Sequence, residues 1–209
     1  MMITHHGINS LPVMGGNTVR IGDRDYPVVQ VGTQLWLAEN LDLKWPSLLI
    51  GIDGETQEAA AWYYANDEAT YGANGLRAGL LYNGICLYDI VNYNLLPEGW
   101  HVPSVDEWKV LLDHYGGADI AAPPLKSADY ESQQWGGTNV SGFNVIPAGY
   151  RQNSQFNEFG RASIVWTSSS SGLFNAWYAK YFNRTPAEKV RQYEHYSQRA
   201  ASIRLVKNL

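Results

Sequence analysis

Cysteine is almost missing: Cys86 stands alone in a chain of 209 residues. That excludes an internal disulfide framework and any cysteine-based zinc cluster. Charge is scarce as well, at 17% of residues against the roughly 25% of ordinary globular chains. No apolar run approaches the roughly 18–20 residues of a membrane helix, because Gly, Asn or Pro interrupts each one. The opening MMITHHGINSLPVMGG has neither a basic head nor a continuous apolar stretch, so no secretory signal is expected. What is abundant is apolar and aromatic: 45% hydrophobic residues, with eight Trp and fourteen Tyr. This composition is too greasy for disorder and the chain is long enough to bury a core. A soluble protein assembled in a reducing compartment is the expectation.

The net charge of −5 is unevenly spread. From Ala176 onward there are seven Lys or Arg (Lys180, Arg184, Lys189, Arg191, Arg199, Arg204, Lys207) against Glu188 and Glu194, a local balance of +5. An acidic body thus carries a basic C-terminal sixth, a face suited to an acidic or polar partner.

Hydrophobic patterning predicts one α+β domain, loop-rich, with short antiparallel strands and one or two helices. Residues 1–17 read as an N-terminal extension and 18–209 as a single domain, with no repeat or linker to divide it. Thr18–Val31 reads as two strands about a Gly-Asp-Arg-Asp turn, and Gln34–Leu41 as a further apolar segment. Residues 42–80 read as long loops, and a helix is placed near Tyr82–Tyr93. The clearest element starts at Ser104, where Glu107 gives capping-box spacing. Val105, Trp108, Leu111 and Leu112 form its apolar stripe, and Gly116-Gly117 ends it. After Trp135, the segments GFNVIPAGYR, ASIVWTSSS, NAWYAKYFN and AASIRLV alternate like antiparallel strands. Trp36, Trp100, Trp108, Trp166 and Trp177 are expected core anchors, while Gly142 and Gly149 suit turns or close backbone approach.

Catalytic and metal motifs do not emerge. His5, His6, His101, His114 and His195 show no HExxH or other ligand spacing. Asp106-Glu107 matches helix N-terminal electrostatics, Ser168–Ser171 follows no nucleophile elbow, and no Gly-rich phosphate loop occurs. Carboxylates are not concentrated as calcium coordination requires. No catalytic residue, metal or cofactor is assigned, and the protein is expected not to be an enzyme.

The strongest functional signal runs from about residue 173 to 199. In the first strand of this stretch, alternation turns Trp177, Ala179 and Tyr181 inward and Tyr178, Lys180 and Phe182 outward. In the second, Lys189, Arg191, Tyr193 and His195 share one parity. Phe174, Arg184, Tyr196 and Arg199 complete the candidate ligand-binding set. Tyr and Arg give much contact area at modest entropic cost, which suits a recognition surface.

Seven motifs occur together and in order: VGTQLWLAENLD, LPEGWHVPSVDEW, LKS, GFNVIPAGYR, VWTSSSS, NAWY and SIRLVKN. The set resembles the major paralogous domain first noted in Fibrobacter succinogenes and widespread in Bacteroidetes, over about residues 18–208. That resemblance implies a C-type lectin-like fold. Many relatives carry a cysteine before the PxGWHVP segment and another in the last strand; here Leu96 and Leu205 stand at those positions. Their joint replacement implies an apolar pair in place of a bridge. It points away from an exported lipoprotein and towards a cytoplasmically assembled, virion-associated phage component, or towards the cell surface if the N-terminus is truncated. The sugar-binding triplets of calcium-dependent lectins do not occur, and the paired cysteines of formylglycine-generating enzymes, which share this fold group, are missing.

Residues 173–199 also resemble the variable region of proteins diversified by retroelements in phages and bacteria. The implied function is a non-enzymatic adhesin that displays a diversified surface to a bacterial receptor, protein or glycan. The alternative is an invariant glycan- or protein-binding module of the same family on the cell surface or secreted. Neither nucleic acid nor membrane insertion is expected, and an oligomer would suit a fibre tip.

Overall fold

Hairpins are nucleated early in the chain by residues that accept unusual backbone angles. The computed structural model describes residues 17–170, 172, 176–184 and 189–209. β1 (Thr18–Ile21) and β2 (Arg24–Val31) pair antiparallel through a turn at Gly22, and β2 pairs with β3 (Gln34–Leu37) through a turn at Gly32. Both glycines have φ near the left-handed value, 59° and 58°, which a side chain would oppose. After these come β4 (Leu49–Ile50), β5 (Ala60–Trp62), α1 (Glu68–Tyr71), β6 (Leu81–Asn83) and α2 (Cys86–Asn92). Residues 42–80 therefore hold short elements between loops. The helix expected near Tyr82–Tyr93 starts only after a strand, because Tyr82 is fully buried between neighbours on both sides of its sheet.

Then follow α3 (Val105–His114), α4 (Ala122–Leu125), β7 (Tyr150–Gln152), β8 (Gln155–Asn157) and β9 (Ala162–Ser170). The chain continues through β10 (Ala176–Asn183), β11 (Val190–Tyr196), β12 (Ala200–Ala201) and β13 (Val206–Asn208). Among the described residues strand takes 34% and helix 16%, so the fold is strand-dominated with few helices. Three sheets result, ordered β1-β2-β3-β13, β11-β10-β9 and β4-β5-β6-β12-β7-β8. Among the described strands only β4 and β5 pair in parallel. Parallel bridges at Gly149–Ser163 and Val165–Ser202 tie β9 to the segments around β7 and β12.

α3 forms as its sequence dictates. The Ser104 hydroxyl accepts from Glu107 N at 3.2 Å and the Glu107 carboxylate accepts from Ser104 N at 2.8 Å, a complete capping box. Trp108, Leu111 and Leu112 are buried, and Gly116 and Gly117 follow with φ of 88° and 98°. The stripe packs into a cluster with Trp36, Phe143, Phe182, Val190 and Val206. Trp36 and Trp108 lie 5.0 Å apart and both meet Phe143 edge-on. Burying aromatics of this size contributes on the order of 2–3 kcal/mol each.

A second, larger cluster lies across the sheets and takes in Tyr26, Leu37, Tyr82, Trp100, Trp166, Trp177 and Ile203. Leu205 is fully buried in it and Leu96 packs partly buried against it, so apolar contact holds both positions. Cys86 is buried, with Sγ donating to Asn83 Oδ1 at 3.3 Å, and burial pushes its thiol up, away from reactivity. Gly149 has φ 70°, and a Cβ there would meet Asn157 O at 2.4 Å; the PAGYR motif needs glycine at that place. Arg204 is also fully buried. Its guanidinium donates to Asn40 Oδ1, Leu37 O, Phe143 O and Asn144 O over 2.6–2.9 Å, and burial pushes it down to about 9.

Candidate functional site

β10 is covered on both faces, which sets what can be displayed from it. In register, Trp177, Ala179 and Tyr181 stand opposite His195, Tyr193 and Arg191 of β11. This face continues onto Trp166 and Ile164 of β9. Trp177 and Ala179 are buried and Tyr181 is half-buried, in agreement with the expected parity.

The opposite parity corrects the sequence reading. Phe182, expected to point to solvent, is fully buried, 6.2 Å from the Trp108 ring, because the stripe of α3 needs an apolar partner. Lys180 is only 6% exposed and donates to Gln192 Oε1 at 2.7 Å. Burial pushes its ammonium down to about 8. Tyr178 is half-buried, and its carbonyl accepts from Thr167 Oγ1. These three lie away from the displayed face. Phe174 lies outside the described residues. Arg184 is half-buried, its backbone N–H bonded to Arg161 O at 3.0 Å. Lys189 is exposed and pairs with Asp119 at 3.2 Å.

Of the remaining five, four come together in one cleft and Tyr196 lies beside it. β11 is the edge of its sheet, and Arg191 through Glu194 are all exposed. Arg191, Tyr193 and His195 point to one side of it, where Tyr181 of β10, Tyr150 of β7 and Arg199 complete an open cleft of about 340 Å³. Tyr181 and Tyr193 meet edge-to-face at 5.7 Å. Arg191 Nη1 donates to Tyr193 Oη at 3.4 Å. Arg199 lies over the Tyr150 ring at 5.0 Å and also donates to Gln152 Oε1. Its Nη1 is 3.1 Å from His195 Nε2. A guanidinium can only donate, so Nε2 accepts and the imidazole proton sits on Nδ1. Burial, reinforced by Arg199, pushes His195 down to about 4, and the ring is neutral at pH 7. Tyr196 is 66% exposed and opens, with Glu55, Glu194 and Arg199, onto an adjoining cleft of about 240 Å³.

Tyr150 and Tyr181 join the cleft although neither belongs to the candidate set that the sequence suggests. Parity turns Tyr181 to the inward side with Trp177 and Ala179, which are buried, whereas Tyr181 is half-buried. The face opens towards Asn183, where Tyr181 stands opposite Arg191, a register that the tertiary fold sets and that no signal in the sequence shows. Tyr150 was hidden inside a motif read as structural.

Elsewhere, Asp42, Tyr63 and Glu68 line another cleft, where the Tyr63 hydroxyl is 2.7 Å from Asp42 and 3.1 Å from Glu68. Arg24 is ion-paired to Glu39 and Asp42, and Lys44 to Glu68. These charges satisfy one another. Among the described residues no three His, Cys, Asp or Glu side chains gather as metal ligands, and no helix is long and apolar enough to cross a membrane.

A model of the Fibrobacter succinogenes major domain matches residues 29–207. No curated protein and no solved structure matches the chain.

Proposed function

This chain belongs to the Fibrobacter succinogenes major domain family, and on that premise we propose that it is a non-enzymatic binding protein with a C-type lectin-like fold. The face of β10–β11 is its ligand-recognition surface, and a bacterial surface receptor is its ligand. The observation that carries this reading is the sharp boundary along β11. Arg191 through Glu194 and Tyr196 are exposed, while Trp166, Ala179 and Ile164 behind them are buried. Substitution at the outer positions would change recognition and leave the core intact. Such a layout suits diversification of residues 173–199 by a retroelement, with the protein acting as a phage adhesin. The chemistry of the cleft also favours binding over catalysis. Its imidazole has its Nε2 lone pair engaged by Arg199, so it is a poor general base.

Flow cytometry of labelled protein on a panel of Bacteroidetes cells tests the reading. Replacing Arg191, Tyr193 and Tyr196 together by Ala is expected to abolish cell labelling and to move Tm by no more than about 2–3 °C. Collapse of stability with labelling retained would refute it. The DNA downstream decides the mode of use. A near-copy of the 3′ coding end differing at template adenines, beside a reverse transcriptase gene, marks a diversified protein. Without such a copy the chain is an invariant module.

A further inference from the structure

The cleft between β7, β10 and β11 is cationic in an acidic protein. It holds Arg191 and Arg199 together with the neutral His195 and three phenols, and among the described residues neither Asp nor Glu lines it. The chain as a whole carries −5. Several surface cations are neutralised by carboxylates: Arg20 pairs with Asp25, Arg77 with Glu39, Lys109 with Asp113 and Lys189 with Asp119. Among the described residues, Arg191 and Arg199 have no carboxylate partner within ion-pair distance. They touch neutral groups instead: Tyr193 Oη for Arg191, and Gln152, His195 and the Tyr150 ring for Arg199.

Resting on the reading of this face as the ligand surface, we propose that the cleft binds an acidic saccharide, with the carboxylate of the sugar held by Arg191 and Arg199. Guanidinium forks match carboxylates in geometry and charge. The Tyr193 ring, 42% exposed and held edge-on by Tyr181, offers an apolar face for the C–H side of a sugar ring. The phenol hydroxyls and Asn183, which also line the cleft, offer polar contacts for sugar hydroxyls. A volume of about 340 Å³ lies at the small end of ligand sites and suits a short glycan segment. An acidic peptide fits less well. An extended peptide takes its affinity from backbone pairing along a strand edge, whereas this cleft lies on the face of the sheet and is walled by side chains.

An array of uronate- and sialate-bearing oligosaccharides, their carboxyl-reduced counterparts and a polyglutamate peptide provides the test, with hits measured by calorimetry. At least one acidic oligosaccharide is expected to bind and its carboxyl-reduced form to bind about tenfold more weakly or worse. Arg191→Gln and Arg199→Gln should each produce a comparable loss, and Arg20→Gln none. Arg191 is exposed, so its variant carries the test even if Arg199→Gln disturbs folding. Equal binding of reduced and acidic forms would overturn the carboxylate assignment. Tighter binding of polyglutamate would overturn the saccharide. If no acidic oligosaccharide binds while Tyr193-dependent labelling of cells persists, the acidic saccharide falls and the ligand face stands. If Arg191, Tyr193 and Tyr196 are also dispensable for labelling, both fall.

Discussion

Arg204 and Arg191 lie thirteen positions apart in one basic segment, and their environments have almost nothing in common. Arg191 is exposed, with a single long hydrogen bond to a phenol. Arg204 is sealed in the core, where three backbone carbonyls and Asn40 take its protons. Lys180 too is buried. Counting charges along the sequence located a basic segment but overstated the basic surface, because two of its seven cations face inward. Nothing in residue type distinguishes these cases; neighbours distant in sequence do. Arg204→Lys should cost about 2 kcal/mol or more, since an ammonium has three donors without the fork geometry and leaves buried oxygens unpaired. Urea denaturation reads this directly, and an unchanged midpoint would contradict the role assigned to the fork.

At the level of elements, legibility followed how local the determinants are. α3 was readable because cap, stripe and stop all lie within fourteen residues of Ser104, and the structure reproduces each of them. Ser104→Ala should lower stability by about 1 kcal/mol, visible as a fall in Tm without change in the cleft. An unchanged Tm would mean that the Glu107 carboxylate, also bonded to His101 and Asn208, holds the first turn unaided. In β10 the sequence pattern shows one face and not the other. Its inward parity is right, but period-two alternation cannot tell a strand with one solvent face from a strand covered on both. Phe182 and Val190 meet Trp108 and Leu111 because α3 lies over that side, a contact spanning some seventy residues. The candidate site shares this limit: Arg191, Tyr193 and His195 came from one strand's parity, whereas Tyr150 joins them from β7 only through the tertiary fold.

Over the whole molecule, the short antiparallel strands and the scarcity of helices are legible from the motifs, and the sheet order is not. The first sheet, β1-β2-β3-β13, joins strands from opposite ends of the chain. Val206 pairs with Trp36, Lys207 with Leu35 and Asn208 with Gln34, and Val206 also bridges to His101. Ending the chain at Leu205 should therefore unbind more than one strand: it exposes the β3 edge and takes Val206 out of the cluster around Trp36 and Trp108. Loss of cooperative thermal unfolding by circular dichroism is expected, and a folded truncated chain would disprove this role of β13.

That closure also sets a timetable. Until residues 206–208 have left the ribosome, the edge of β3 has no strand to cap it, and the Trp36 cluster lacks one of its walls. Hairpins β1–β2 and β2–β3 can form as they emerge, but the domain has to wait for its last strand, and such long-range pairing is slow. A nascent chain paused before that point would present an unpaired edge next to three large aromatic rings, the state in which a holding chaperone would find it.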